Sequence, residues 1–240
     1  MIIPANSCFV LHQRPYKETS IILDAFSQDY GLVSLIAKGA KRKKSKFMGL
    51  LNLYCKLKLA WQGKSELLTL TFAEQVKNIS FVSNKTLIAG FYLNELIIRL
   101  MHKNEPHLDL FNAYENALDS LKNENNEEKT LRIFEKHLLN SLGYGLVLDQ
   151  DINTGKELVN DFVYFYKADQ GPMSNKPDIN DYIKISGQSL NDIKSESFIS
   201  EKSLSEAKNL MRYLLQKQLG GRPLASRNLY KSYLATAQTS

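Results

Sequence analysis

The sequence predicts an α+β protein: an N-terminal five-stranded β-barrel of the OB type, followed by a mainly helical C-terminal domain. Three observations lead there. Short alternating segments fill the first eighty residues, apolar stripes at three- and four-residue steps replace them after about Phe81, and the charge is uneven between the two parts. With 43% hydrophobic and 10% aromatic residues the chain can bury a core, which excludes global disorder. The domains are placed at 1–80 and 81–240, with an irregular insert over 149–200.

Residues 7–12 are apolar and β-branched enough for a first strand, and 19–26 follow after a turn at Arg14-Pro15-Tyr16. Gln28-Asp29-Tyr30-Gly31 turns into a third strand over 32–37. Beyond a basic loop come 54–61, a turn at Gln62-Gly63-Lys64, and 66–72. Lys56-Leu57-Lys58-Leu59 alternates with period two, as a half-buried strand does. A short helix is predicted near 47–51. Five strands closing on themselves in about eighty residues suit an OB-type barrel, with an SH3-like barrel as the alternative.

Residues 86–101 are apolar around most of a helix, with Ile88, Phe91, Leu93, Leu96, Ile97 and Leu100. Leu110, Phe111, Tyr114, Leu118 and Leu121 mark a second helix. A polar loop is expected over 122–129. Leu131, Phe134, Leu138 and Leu142 form a third stripe that stops at Gly143. Within the insert, only 162–166 looks β-like. Ser203-Leu204-Ser205-Glu206 has the capping-box pattern and opens a helix carrying Leu204, Ala207, Met211 and Leu214. Gly220-Gly221 and Pro223 end it, and a last helix runs from about Ser226.

The chain holds 31 basic and 25 acidic residues, a net of +6. Residues 1–80 hold 12 basic and 5 acidic, a net of +7; the remainder holds 31 − 12 = 19 basic and 25 − 5 = 20 acidic, a net of −1. The excess belongs to the barrel and points to a polyanion partner. Cys8 and Cys55 lie far apart and form no CxxC pair; they read as two buried small hydrophobes. The opening MIIPANSCFV has no basic segment ahead of a long apolar run, and no apolar stretch approaches the roughly 18 residues of a membrane span, so a cytoplasmic protein without a leader is expected.

Enzymatic chemistry finds little footing. The four histidines, His12, His102, His107 and His137, form no HxxxH or HxH pair and have no nucleophile beside them. Asp149, Asp151, Asp178 and Asp181 are the carboxylates a metal-dependent nuclease would use, but they lie in polar turn sequence where aspartate is common. No phosphate-cradling glycine motif is present. No catalysis, cofactor or bound metal is expected.

Lys38-Gly39-Ala40-Lys41-Arg42-Lys43-Lys44-Ser45-Lys46 carries six positive charges in nine residues and no acid. Burying six unpaired charges is prohibitive, so the loop faces water, either as a solubilising loop or as a phosphate contact. Its place between barrel strands favours phosphate contact, where neutralising each phosphate releases a condensed cation. Arg14 and Lys17 flank Tyr16 in the neighbouring turn. Single strands also need stacking surfaces, for which Tyr16, Phe47, Tyr54 and Trp61 are candidates, against a core role for each. Lys208, Arg212, Lys217, Arg222, Arg227 and Lys231 form a second basic set, which also fits an ordinary charged helix surface.

Several runs resemble the RecO family of recombination mediators: FVLHQRPYKETSIILDAFSQDYGLVSLIAKGAKR (9–42), FMGLLNLY (47–54), YLNELIIRL (92–100), LRIFEKHLLNSLGYG (131–145) and LGGRPLASRNLY (219–230). They occur in family order along essentially the whole chain, so the resemblance is specific. It implies an OB fold followed by a helical domain, binding of single- and double-stranded DNA, annealing of complementary strands, and help in loading the recombinase RecA onto DNA coated with single-strand-binding protein. It implies RecR as a partner, nucleoid association, and the acidic, apolar tail of the single-strand-binding protein as a ligand of the helical domain. Arg132 would receive that tail's carboxylates, with Leu131, Phe134 and Leu138 walling an apolar slot. One departure stands out. Many proteins of this family carry a four-cysteine zinc module after the LGYG run, whereas residues 146–174 contain no cysteine, so that segment, if it keeps the fold, must be held by packing alone. An OB-fold RNA-binding protein remains the alternative, since basic loop and aromatics fit it equally.

Overall fold

The five barrel strands are β1 Ile2–Tyr16, β2 Ser20–Ser27, β3 Gly31–Ala37, β4 Cys55–Gln62 and β5 Leu67–Asn78. They belong to a computed structural model that describes residues 2–79, 81, 83–122 and 127–237. The strands close in the order β1-β2-β3-β5-β4, with β4 returning to β1 and a short parallel seam joining β3 to β5. Alternation builds this barrel. Along β4, Cys55, Leu57, Leu59 and Trp61 turn inward while Lys56, Lys58 and Ala60 are half-buried on the other face. Inward residues of the other strands, including Val10, Leu23, Val33 and Leu35, complete one apolar core, which Phe47 and Leu51 join from the β3–β4 connection. Both cysteines are buried free thiols, and burial pushes Cys8 up to about 12.

Three local expectations change. β1 continues through Pro15, which lies opposite Ile21, so the turn falls at 17–19 rather than at Arg14-Pro15-Tyr16. β5 runs six residues past Phe72 because β4 continues to pair with it as far as Asn78. The helix predicted near 47–51 is a succession of turns instead. Its bonds run only from Met48 N–H to Ser45 O and from Leu50 N–H to Phe47 O, and Gly49 at φ +72° cannot continue a right-handed helix.

The chain forms two compact units, Met1–Glu124 with Leu224–Ser240, and Asn125–Pro223. In the first, the barrel is joined by α1 Asn84–Leu100, α2 Leu108–Ser120 and α6 Ala225–Ala237. Phe9 and Phe26, on the outer face of β1 and β2, meet Phe111 and Tyr114 at ring separations of 5.2 to 6.2 Å. Such a cluster holds α2 on the barrel through apolar burial and edge-to-face packing. Within it the Tyr114 hydroxyl donates to Asn94 Oδ1 at 2.6 Å, and Asn94 Nδ2 donates to the Leu11 carbonyl at 2.8 Å, so the buried polar atoms are satisfied in series from barrel to helix.

The second unit contains α3 Glu127–Ser141, β6 Val163–Lys167, β7 Gly171–Met173, β8 Ile183–Ser186, α4 Gly187–Ser195 and α5 Glu201–Gln218. The loop predicted over 122–129 ends early, because Glu127 and Glu128 are already helical; residues 123–126 lie outside the described ones. Residues 149–200 are more regular than expected: three strands in the order β7-β6-β8, then α4. The capping box predicted at Ser203 does not form. Ser200 is the N-cap and accepts the Ser203 N–H at 3.1 Å. Glu206 serves α4 instead, accepting from Ser186 N–H, Ser186 Oγ and Ser189 Oγ at 2.6 to 2.9 Å. Among the described residues no helix is long and apolar enough to cross a membrane.

Candidate nucleic-acid interface

The basic loop leaves β3 and is fastened at three places. Ala40 and Phe47 reach into the barrel core, with 8% and 4% of their surface exposed. Lys41 N–H donates to the Thr19 carbonyl at 2.9 Å, tying the loop to the β1–β2 turn. Lys46 Nζ donates to the Thr71 carbonyl of β5 at 2.6 Å and lies 5.1 Å from the Phe47 ring centre. Between these anchors the chain folds through tight turns, Arg42 N–H to Gly39 O and Ser45 N–H to Arg42 O. Apolar and backbone contacts therefore hold the loop, leaving its charges outside.

Lys38, Lys41, Arg42, Lys43 and Lys44 are all exposed, and among the described residues none has a carboxylate partner. The Thr19 bond places these charges beside the β1–β2 turn, where Arg14 and Lys17 are exposed as well. Two lysines elsewhere on the barrel are neutralised. Lys56 pairs with Glu115 and Lys77 with Asp119 of α2, each at 2.6 Å. Unpaired cations are thus concentrated in this loop and the neighbouring turn, although Lys64 is also exposed in the β4–β5 turn and Lys58 bonds only the Ser7 hydroxyl. Charge counting could find that loop; it could not find the Thr19 and Thr71 carbonyls that shape it, because backbone acceptors leave no mark in composition.

The second basic set is divided between the units. Lys208, Arg212 and Lys217 stand on α5 with Arg222 just after it, whereas Arg227 and Lys231 belong to α6. Lys208 pairs with Glu128 at 3.0 Å, and Lys217 pairs with Asp181 at 2.6 Å while lying over the Tyr213 ring. Arg212 is exposed and has no carboxylate partner among the described residues. Of the stacking candidates, Phe47, Tyr54 and Trp61 are core residues, each at most 5% exposed, and Tyr16 is half-exposed with Lys17 Nζ 5.5 Å from its ring centre.

In α3, Leu131 is half-buried, but Phe134 and Leu138 have no exposed surface. Arg132 is buried and held by Glu135 one turn along: Nη2 to Oε1 and Nε to Oε2 are both 2.7 Å. As it stands, this constellation is an internal ion pair over a core, with no open apolar slot formed by Phe134 and Leu138.

Residues 146–174 offer no thiolate, and among the described residues no cluster of histidine, cysteine and carboxylate is arranged to hold a metal ion, so zinc does not fit this segment. Its cross-link is Asp151. The buried carboxylate accepts from Thr154 Oγ1 at 2.7 Å and from the Asn153 and Ser174 N–H groups at 3.0 Å. The two flanks of the segment are thereby joined at a position where one charged side chain satisfies three donors. The other aspartates weighed for nuclease chemistry are dispersed: Asp149 pairs with Lys194, and Asp181 with Lys217.

A closed five-stranded barrel with a tethered basic loop, carried with helical elements on the same chain, defines a protein of the OB-fold class. The comparisons narrow the class. Residues 1–79 match the family Recombination protein O N terminal, and residues 84–228 match Recombination protein O C terminal. A DNA repair protein RecO of Nitrosospira multiformis is 40% identical over 230 residues, covering 95% of each chain. Another from Nitrosococcus oceani is 38% identical over 95% of this chain and 93% of its own. One from Coxiella burnetii is 41% identical over 95% and 97%. The chain belongs to the RecO family of DNA repair proteins.

Proposed function

We propose that this protein acts in DNA repair as a recombination mediator without bond chemistry of its own: it binds single- and double-stranded DNA, anneals complementary strands and assists RecA loading where single-strand-binding protein covers the strand. The observation that carries this reading is the group Lys41, Arg42, Lys43 and Lys44, exposed and without carboxylate partners among the described residues. Such charges attract phosphates irrespective of base sequence, and neutralised strands repel one another less as they anneal. Arg14, Lys17, Lys38 and Lys46 extend the contact on the barrel, and Lys208, Arg212, Lys217 and Arg222 of the second unit and Arg227 of the first are further basic residues proposed to meet DNA. RecR and the tail of the single-strand-binding protein are the proposed partners. Arg132 with Leu131 would receive the tail only by exchanging Glu135 for its carboxylates.

The test is the salt dependence of DNA binding. Replacing Lys41, Arg42, Lys43 and Lys44 with alanine should flatten the slope of log affinity against log salt by up to about 3 for a single strand. An unchanged slope would remove the loop from the contact. Competition between DNA and RNA strands of equal length, with DNA preferred, separates this reading from an RNA-binding one.

A further inference from the structure

Along β5, Leu68 and Leu70 face the barrel core, and strict alternation would carry Phe72 in behind them. It does not go there. Leu70 lies opposite Trp61 and Phe72 opposite Ala60, so Thr71 is an extra residue with no counterpart on β4. This bulge reverses the register: Ala73 packs on the core and Phe72 faces out, 44% exposed. It is the most exposed aromatic side chain of the five strands, and among the described residues no other ring packs against it. Turning a phenylalanine to water forfeits the burial that a core position would supply, so the fold does not account for the ring.

The basic loop is fastened at the same bulge. The Thr71 carbonyl accepts from Lys46 Nζ at 2.6 Å, while the Thr71 hydroxyl donates to the Ala60 carbonyl at 3.0 Å. One irregularity thus sets an exposed ring and the end of the loop on neighbouring residues. Lys41, Arg42, Lys43 and Lys44 stand in that loop, exposed and without carboxylate partners among the described residues. Glu74, two residues beyond the ring, lies opposite Lys58, so this pair adds no net negative charge.

We propose that Phe72 stacks on one base of a DNA single strand whose phosphates lie along the basic loop. The inference rests on the DNA-binding reading above and adds a base contact to it. A single strand calls for both parts: cations that replace its condensed counterions, and a flat apolar surface for bases without a stacking neighbour. Of the rings expected from the sequence, Phe47, Tyr54 and Trp61 are buried, and Lys17 Nζ lies over Tyr16. Phe72 has neither cover among the described residues. Duplex DNA, whose base faces remain stacked, offers such a ring nothing.

The experiment measures binding of the full chain to a thymidine strand and to an abasic phosphodiester strand of equal length. The wild-type protein should prefer the thymidine strand by on the order of tenfold, the contribution of one stacked base, with similar salt slopes for both. Phe72→Ala should remove most of that preference and leave abasic binding unchanged. Phe72→Trp, which keeps a flat ring, should retain it. Equal affinity of the wild type for both strands would overturn the base contact while leaving the phosphate contact standing. So would Phe72→Ala keeping the preference, or Phe72→Trp losing it. Equal weakening of both strands by Phe72→Ala would assign the ring to the fold and overturn the proposal as well. Failure of the wild type to bind either strand would overturn both readings.

Discussion

Glu95 of α1 accepts two hydrogen bonds from Ser226, the backbone N–H at 2.9 Å and the hydroxyl at 2.7 Å, across 131 residues of sequence. The Ala225 N–H adds a third at 2.9 Å, and Arg99 lies 3.5 Å away. The free N–H groups that begin α6 are thus satisfied by a carboxylate from another helix, which also complements the helix dipole. Burial acts to raise the Glu95 pKa, but the bonds from Ser226 and Ala225, with Arg99, outweigh it and hold the group below its ordinary value.

A carboxyl whose folded pKa is depressed stabilises the fold fully above its unfolded value of about 4.3, and this stabilisation fades as pH falls through the folded value. Acidification below about pH 4 should therefore speed amide exchange in the first turns of α6. Glu95→Gln should do the same at neutral pH, costing about 1.5 to 3 kcal/mol for the charged hydrogen bonds. Unchanged exchange in both cases would mean that α6 is held by its other contacts with α1 alone.

In the basic loop, stability and binding should separate by residue. Phe47→Ala empties part of the barrel core and should cost about 3 to 5 kcal/mol, read as a fall in the urea midpoint. Alanine at Lys41, Arg42, Lys43 and Lys44 should leave that midpoint within about 0.5 kcal/mol per position, because these side chains contact nothing that the fold needs. A large loss from the lysine variants would assign them a structural role.

Much of this architecture was legible because its determinants are periodic. β4 alternates residue by residue, and α1 is apolar around most of its circumference, so pattern alone locates both. The basic loop was legible because six like charges in nine residues have no folded solution except exposure. Illegible features depend on distant partners. β7 has three residues, too few to show a period, and exists through pairing with β6. Ser203 and Glu206 have the spacing of a capping box, but Ser200 occupies the Ser203 N–H and Ser186 with Ser189 claim Glu206. Arg132 read as a waiting cation because Glu135, one turn away, has no signature that distinguishes an internal partner from a solvated neighbour.

Asp151 should make its segment sensitive to acid and indifferent to chelators. Burial works to raise its pKa, but bonds from Thr154, Ser174 and Asn153 prevail and lower it. The sign is that of a depressed carboxyl: stabilisation is complete above about pH 4 and is lost as pH drops through the folded value. Asp151→Ala, which leaves the donors of Asn153, Thr154 and Ser174 unmatched, should cost about 2 kcal/mol and expose residues 149–175 to proteolysis. EDTA should leave the melting temperature unchanged; a fall on chelation would show that a metal holds the segment.

The Arg132–Glu135 pair invites a test that separates folding from ligand capture. Both side chains are buried, with 7% and 2% of their side-chain surface exposed. Removing one partner strands the other charge away from water, so Arg132→Ala should destabilise the protein by about 3 to 5 kcal/mol. Loss of tail binding by that variant would therefore be uninformative by itself. Replacing the pair together, Arg132→Met with Glu135→Leu, removes both charges at similar volume and should recover most of the stability. That double variant then carries the question. If it melts near the wild type yet loses affinity for an acidic tail peptide, the arginine does trade its internal carboxylate for the ligand's. If it melts near the wild type and binds the peptide equally well, the pair belongs to the core and the peptide docks elsewhere.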